Sequence, residues 1–278
     1  MQKLIALSAA ALLLAAPAFA ATTPAPKSEQ ALNLTYTLYA GGLRVVNVGV
    51  LYGIGGSTYS IHANARTTGM WSSLVPWRNM ITARGTVDDK GVHPQLARYD
   101  DAWREKLRTT EFSFANGIAS ATSTPPQKQD GRIEATEEQR TGAIDPLSAV
   151  VNVLALNGAQ GCQGKLPAFD GRRLYNLVFS NKGEEVLKPT SYSRFAGTAL
   201  RCEVLFEPVA GFPKREDRAG FWNARDNENA KNPLIIWVAK PAPELPMIPV
   251  RVQSTVELGT LVAHLTELNP ADQTAGLP

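Results

Sequence analysis

From residue 34 onward the chain alternates apolar and polar side chains with a two-residue period. Leu34, Tyr36 and Leu38 share one face of a segment whose other face carries Thr35, Thr37 and Tyr39, the pattern of a half-buried strand. Comparable segments run over 43–52, 56–67, 78–88, 92–103 and 105–115, then 165–169, 172–180, 198–208, 233–240, 247–257 and 259–268. Phe112 with Phe114, Tyr175 with Leu177 and Phe179, Cys202 with Val204 and Phe206, and Val250 with Val252, Ser254 and Val256 mark inward faces. Turn signals separate the segments: Gly53-Ile54-Gly55-Gly56, Asp88-Asp89-Lys90-Gly91, Asn116-Gly117, Asp170-Gly171 and Asn181-Lys182-Gly183.

One stretch has helical periodicity. Asp145 suits an N-cap and Pro146 the first helical position; Leu147, Val150, Val151 and Leu154 then line one face, and Asn157-Gly158 supplies a stop. About a dozen strands at hairpin spacing with one packed helix predict a mainly β fold, an antiparallel open barrel or sandwich.

The ends of the chain read differently. Lys3 precedes an apolar run from Leu4 to Ala16, followed by Pro17-Ala18-Phe19-Ala20, which predicts a secretory signal over 1–20. The run is too short to span a bilayer, and no later stretch is long and apolar enough. Residues 21–31 are expected to form a disordered lead-in and 32–269 a single β-rich domain. Within that domain 123–142 is expected as a mobile loop joining two halves, 210–231 as a long polar hairpin loop, and 270–278 as a flexible tail. Removing 1–20 lowers the apolar share of 44% to about 41%, still enough for a core. The net charge of +3, from 28 basic and 25 acidic side chains, falls to +2 without Lys3. That balance, with scattered basic residues, excludes a nucleic-acid binder. The predicted address is the periplasm.

Two cysteines in an exported chain predict one disulfide, Cys162–Cys202. No metal spacing links them to His62, His93 or His264. There is no nucleophile elbow, zinc-protease helix, phosphate loop or dinucleotide fingerprint; no cofactor is expected and no catalytic residue is assigned. Two constellations remain. Ser60, His62, Asn64 and Arg66 form a polar ladder on one face of the strand 59–67, either a binding face, if the sheet curls to make it concave, or an ordinary water-facing surface. Met70, Trp71, Leu74 and Trp77 lie in an unusually apolar connection. They predict either a short helix plugging the barrel end or a lip that meets an acyl chain or membrane face.

The order and spacing of several weak motifs are similar to a known family. They are Tyr59 with Thr68-Gly69, Gly85 with Asp89-x-Gly91-x-x-Pro94 and Tyr99, Asp145-Pro146-Leu147-Ser148, Phe169-Asp170-Gly171-Arg172-Arg173, Arg201-Cys202 and Gly211-Phe212. Over most of 33–268 the chain resembles the bacterial domain of unknown function 3108 family, in the form found in alphaproteobacterial exported proteins. The resemblance implies an exported, β-rich envelope protein and supplies no catalytic residues.

The expected function is therefore non-enzymatic support of the cell envelope, by binding a lipid or other hydrophobic small molecule, or an envelope protein. The rival expectation is a hydrolase acting on an envelope polymer or ester, with His62 or His93 as base.

Overall fold

The computed structural model describes residues 30–127, 130–156, 158, 160–212, 233–256 and 259–271. The expected signal, nearly all of the lead-in, most of the polar stretch 210–231, Asn157 and most of the tail lie outside them.

Alternating sequence becomes long antiparallel strands. The first run is β1 (Gln30–Ala40), β2 (Leu43–Gly55), β3 (Thr58–Thr67), β4 (Trp77–Asp88), β5 (Gly91–Trp103), β6 (Lys106–Ser113) and β7 (Ser120–Thr124). A single turn, α1 (Trp71–Leu74), interrupts it between β3 and β4. The second run is β8 (Gln163–Phe169), β9 (Leu174–Leu187), β10 (Gly197–Ala210), β11 (Leu234–Ala239), β12 (Ile248–Val256) and β13 (Gly259–Pro270). Between the runs lie α2 (Glu137–Arg140) and α3 (Pro146–Ala155). All thirteen strands form one sheet, in the order β7-β6-β5-β4-β3-β2-β1-β13-β12-β11-β10-β9-β8. The mainly β, open-barrel expectation therefore holds, with one sheet rather than the two of a sandwich.

The sheet curls around α3, which contacts β4 and β5 of the first run and β8 of the second. Asp145 caps it as expected, accepting from the N–H groups of Leu147 and Ser148, with Pro146 at the first position. Its burial is wider than the expected stripe. Ser148, Ala149, Val151, Val153 and Leu154 are all buried, because a helix inside a curled sheet has wall on several sides. The core continues through Tyr52, Tyr59, Ile61, Phe112, Tyr175, Phe179, Val204 and Val250.

The sheet is not closed by strand pairing. Its outer strands, β7 and β8, are bridged by the connection between them. Ala119 N–H donates to Arg140 O at 3.3 Å and Gly142 N–H to Gly117 O at 2.8 Å on one side. Ile144 N–H donates to Pro167 O at 3.1 Å and Phe169 N–H to Ile144 O at 2.9 Å on the other. The segment expected as a mobile loop, 123–142, thus holds the end of β7 and the helix α2. That helix starts with a capping box between Thr136 and Gln139, a local signal hidden in a run of charged residues.

Asn181-Lys182-Gly183 does not turn the chain. β9 runs through it to Leu187, and the register against β10 shifts there, Leu200 facing Glu184 and Cys202 facing Asn181. Gly183 at φ 82° makes a bulge, which uses the same residue type as a turn. The Asp88–Gly91 and Asn116-Gly117 signals do connect neighbouring strands. Asp88 Oδ1 accepts from Lys90 N–H at 2.8 Å and Gly91 N–H at 3.1 Å, and Asn116 and Gly117 both take positive φ.

Gly85 shows why one motif glycine is needed. A Cβ there would strike the His93 carbonyl oxygen and lie 2.8 Å from Pro94 Cα and 2.9 Å from Tyr59 Cε1. The β4–β5 register shifts at this point, between Arg84 and Gly85, where Pro94, lacking an N–H, is tolerated. Gly85→Ala should cost about 2 kcal/mol through overpacking against backbone. Urea denaturation checks this; a midpoint equal to wild type would refute the close approach.

Candidate functional site

The connections at one end of the first run carry five of the exposed large apolar side chains. Antiparallel pairing puts the β1–β2 turn, the β3–β4 connection and the β5–β6 turn on the same side, because β2 begins where β3 ends and β5 ends where β4 begins. Their tips carry Leu43 at 59% exposure, Met70 at 70%, Leu74 at 64%, Trp103 at 48% and Leu107 at 51%. Trp71 and Trp77 are half-buried between them.

Local chemistry holds this crown in shape. Thr67 Oγ1 donates to Val75 O at 2.8 Å, and Thr68 N–H donates to Val45 O at 3.1 Å, fastening both ends of the connection to β2 and β3. Trp77 and Trp103 are cross-strand partners, and Arg104 N–H donates to Pro76 O at 2.7 Å. The Trp77 indole N–H donates to Asp101 Oδ1 at 2.8 Å, tying β4 to β5 at this end. None of the residues of α1 is buried, and Met70 and Leu74 are exposed while Trp71 and Trp77 are half-buried. Large apolar side chains have been left in water by a fold that buries dozens of others.

The charges around the crown are unequal. Within 43–46, 66–78 and 101–108, the cations Arg44, Arg66, Arg78, Arg104, Lys106 and Arg108 stand against the carboxylates Asp101 and Glu105. All six cations are exposed, and Asp101 is already committed to Trp77 and Asn79. The surface is an amphipathic end with a positive surround.

The polar ladder lies elsewhere. Tyr59 and Ile61 face α3 and the interior, so Ser60, His62, Asn64 and Arg66 face outward, on the convex side of the curled sheet. His62 Nδ1 is 2.9 Å from Thr82 Oγ1, and Ser60 Oγ is buried without a partner. Arg66 alone reaches the crown. His93 Nε2 is 2.9 Å from Asp88 Oδ2 in the β4–β5 turn, with more than half its side chain in solvent. Both histidines therefore have a hydrogen-bonding partner, His62 half-buried and His93 exposed. His264 is in contact with Tyr39 and Tyr192 on the outer face, and burial, aided by Arg251, pushes its imidazole below the usual value.

The most deeply buried polar cluster is interior. Asp145 Oδ1 accepts from Tyr99 OH at 2.8 Å and from the Leu147 and Ser148 N–H groups at 3.1 Å. Asp145 Oδ2 accepts from Ser148 Oγ, which also meets Tyr59 OH at 2.7 Å. Burial raises both tyrosines well above their ordinary value. Every oxygen in this cluster has a partner, and it ties β3 and β5 to the start of α3, a structural knot rather than a reactive centre.

The cysteines are joined, Cys162 to Cys202, with Cα atoms 5.7 Å apart. No cluster of metal-binding side chains occurs among the described residues, and no helix among them is long and apolar enough to cross a membrane. The sequence pointed to Met70, Trp71, Leu74 and Trp77 but missed Leu43, Trp103 and Leu107, which other connections bring to the same place. The available signal was an apolar residue on each side of the charged tip Arg104-Glu105-Lys106.

Comparison with known proteins agrees with the fold. The family model described as "Protein of unknown function (DUF3108)" matches residues 35–266. Among solved structures, a β-barrel-like protein of domain of unknown function DUF1849 from Brucella abortus is similar, with a TM-score of 0.50 at 10% identity. The match covers 87% of this chain and 98% of that one. No curated protein matches.

Proposed function

Since the chain belongs to the DUF3108 family, whose description assigns no activity, we propose from its residues that it is an exported, non-enzymatic envelope protein that works at a lipid surface. The observation that carries this is the crown: Met70, Leu74, Trp103 and Leu107 exposed together within a positive surround. Apolar and aromatic tips enter the boundary between headgroups and acyl chains, while arginine and lysine meet anionic headgroups. The lipid is held at the end of the barrel, because α3 and aromatic side chains fill the interior. The Cys162–Cys202 bond supports an oxidising address, the periplasm, in keeping with the signal read over 1–20. The hydrolase reading is weaker, since half-buried His62 pairs with the Thr82 hydroxyl on the outer face of the sheet and His93 with Asp88 in an exposed turn.

Sedimentation with vesicles tests the reading. The chain should bind vesicles containing anionic phospholipid, less so as salt is raised, and bind neutral phosphatidylcholine vesicles weakly. Leu74→Asp with Leu107→Asp, both exposed, should reduce partitioning roughly tenfold or more while leaving the melting temperature unchanged. Equal partitioning of the variant would overturn the proposal.

A further inference from the structure

Toward the crown, the inner face of the sheet loses its covering. On β3 the inward side chains Tyr59 and Ile61 are buried, while Ala63 and Ala65, the next two on that face, are half-buried. The same gradient runs along three more strands. On β4 Ala83 is buried and Ile81 half-buried; on β12 Val250 is buried and Val252 half-buried; on β13 Leu265 is buried and Ala263 half-buried. Strand register makes one surface of these positions, since Ala63 pairs with Ile81, and Ala263 lies between Leu38 and Val252.

The cause is the direction of α3. At its start, Asp145 accepts from Tyr99 OH at 2.8 Å, midway along β5. Further on, Asn152 Oδ1 accepts from Val92 N–H at 3.1 Å, at the β4–β5 turn. The helix therefore runs away from the crown and covers only the far part of the inner face. Four residues of β5 separate Tyr99 from Trp103 at the rim, about 13 Å of wall that α3 leaves uncovered.

This wall ends in cations. Tyr99 points inward, so Asp101 and Trp103, at two-residue steps, share its face, and so do their partners on β6, Arg108 and Lys106. Asp101 Oδ1 already accepts from the Trp77 indole N–H and from Asn79 Nδ2. Lys106 and Arg108 are exposed, and among the described residues neither is ion-paired.

We infer that this uncovered wall takes up the chain of a long-chain fatty acid, whose carboxylate meets Lys106 and Arg108 at the rim. The inference rests on the lipid-facing reading of the crown and names the lipid. A bilayer touches only the tips of the crown, whereas a single chain can enter a concave wall and be shielded from water on several sides. Ala63, Ala65 and Ala263 leave the room that larger side chains would fill. The length agrees, since the acyl chains of one leaflet span about 15 Å, half of the hydrocarbon core. A lysine and an arginine side by side on adjacent positions of one face suit one small anionic group.

Tryptophan quenching by dibrominated stearate, below its micellar concentration and without vesicles, tests this on the full oxidised chain. The acid should quench, and Trp77→Phe with Trp103→Phe should remove most of the effect. Ala63→Phe with Ala263→Phe should weaken binding roughly tenfold or more, with vesicle sedimentation retained; circular dichroism melting confirms that the variants are folded. On the wild-type chain the methyl ester should bind roughly tenfold more weakly than the acid, a difference that Lys106→Gln with Arg108→Gln should abolish. Absence of quenching with vesicle sedimentation intact would overturn this inference alone. Absence of both would overturn the crown reading with it. Ester or lysophosphatidylglycerol bound as tightly as the acid would show that the rim does not read a carboxylate, and would also overturn it.

Discussion

Loss of the Cys162–Cys202 bridge is expected to lower the stability of the fold by about 4 kcal/mol. The bond joins the chain leaving α3 to the middle of β10 across a sequence separation of 40. Releasing a loop of that size returns conformational freedom to the unfolded chain, which is where most of the effect arises on the chain-entropy model. Both cysteines are fully buried, so Cys162→Ala with Cys202→Ala also removes packed sulfur from the core. For a domain this large the change corresponds to a melting temperature lower by roughly 8–16 °C. Calorimetry reads it directly, and thiol titration of the denatured, unreduced wild type should find almost no free thiol. A shift of under about 3 °C would show that neighbouring contacts, not the bond, hold α3 to β10.

Asp145 carries the other large effect. Asp145→Ala removes the α3 cap, worth about 1–2 kcal/mol. It also leaves the hydroxyls of Tyr99 and Ser148 short of an acceptor in a dry interior, at about 1–3 kcal/mol each. A combined loss of about 4 kcal/mol is expected. Asp145→Asn keeps an acceptor for the helix N–H groups and should cost much less. The pair of variants also exposes a pH dependence. Burial is the largest influence on the carboxyl and raises it above the ordinary range, against opposing hydrogen bonds from Ser148, Tyr99 and Leu147. The folded chain therefore keeps this proton at a pH where the unfolded chain has released it. Its stabilising contribution is complete below the unfolded carboxylate value, about 3.9, and fades as pH rises through the folded value. Relative to Asp145→Asn, the wild type should lose stability as pH rises above about 4 in urea titrations. A difference that grows with pH would mean that the hydrogen bonds outweigh burial.

Strands were legible wherever one face meets the core, because burial writes its period into the sequence. Leu34, Tyr36, Tyr175 and Val250 are inward in the structure as in the pattern. The α3 cap was legible for a similar reason: Asp145 and Pro146 satisfy rules confined to four residues. Asn181-Lys182-Gly183 misled because a bulge and a turn both use glycine at positive φ. Only the partner strand β10 distinguishes them. The crown was half visible, through Met70–Trp77, and its remainder came from two connections that sequence distance hides. The seam between β7 and β8 was least visible, since Arg132 meets Gly211 O 79 residues away. A run of charged residues looks the same in sequence whether it is solvated or folded between strands.

The strand order has a consequence for how the molecule can assemble. β1 and β13 pair in the middle of the sheet, with Thr35 hydrogen-bonded to Glu267 across 232 positions, and Ala271 N–H donates to Ala31 O at 2.9 Å. Joined at those ends and cut at the seam, the same strands would run in order from β8 to β13 and on from β1 to β7. The described strands are thus a circular permutation of a simple meander, with the first and last strands at the centre and β7 and β8 at the two margins. Each half can form from local hairpins, but the joint between them has the highest contact order in the fold. The strand made first must wait for the strand made last.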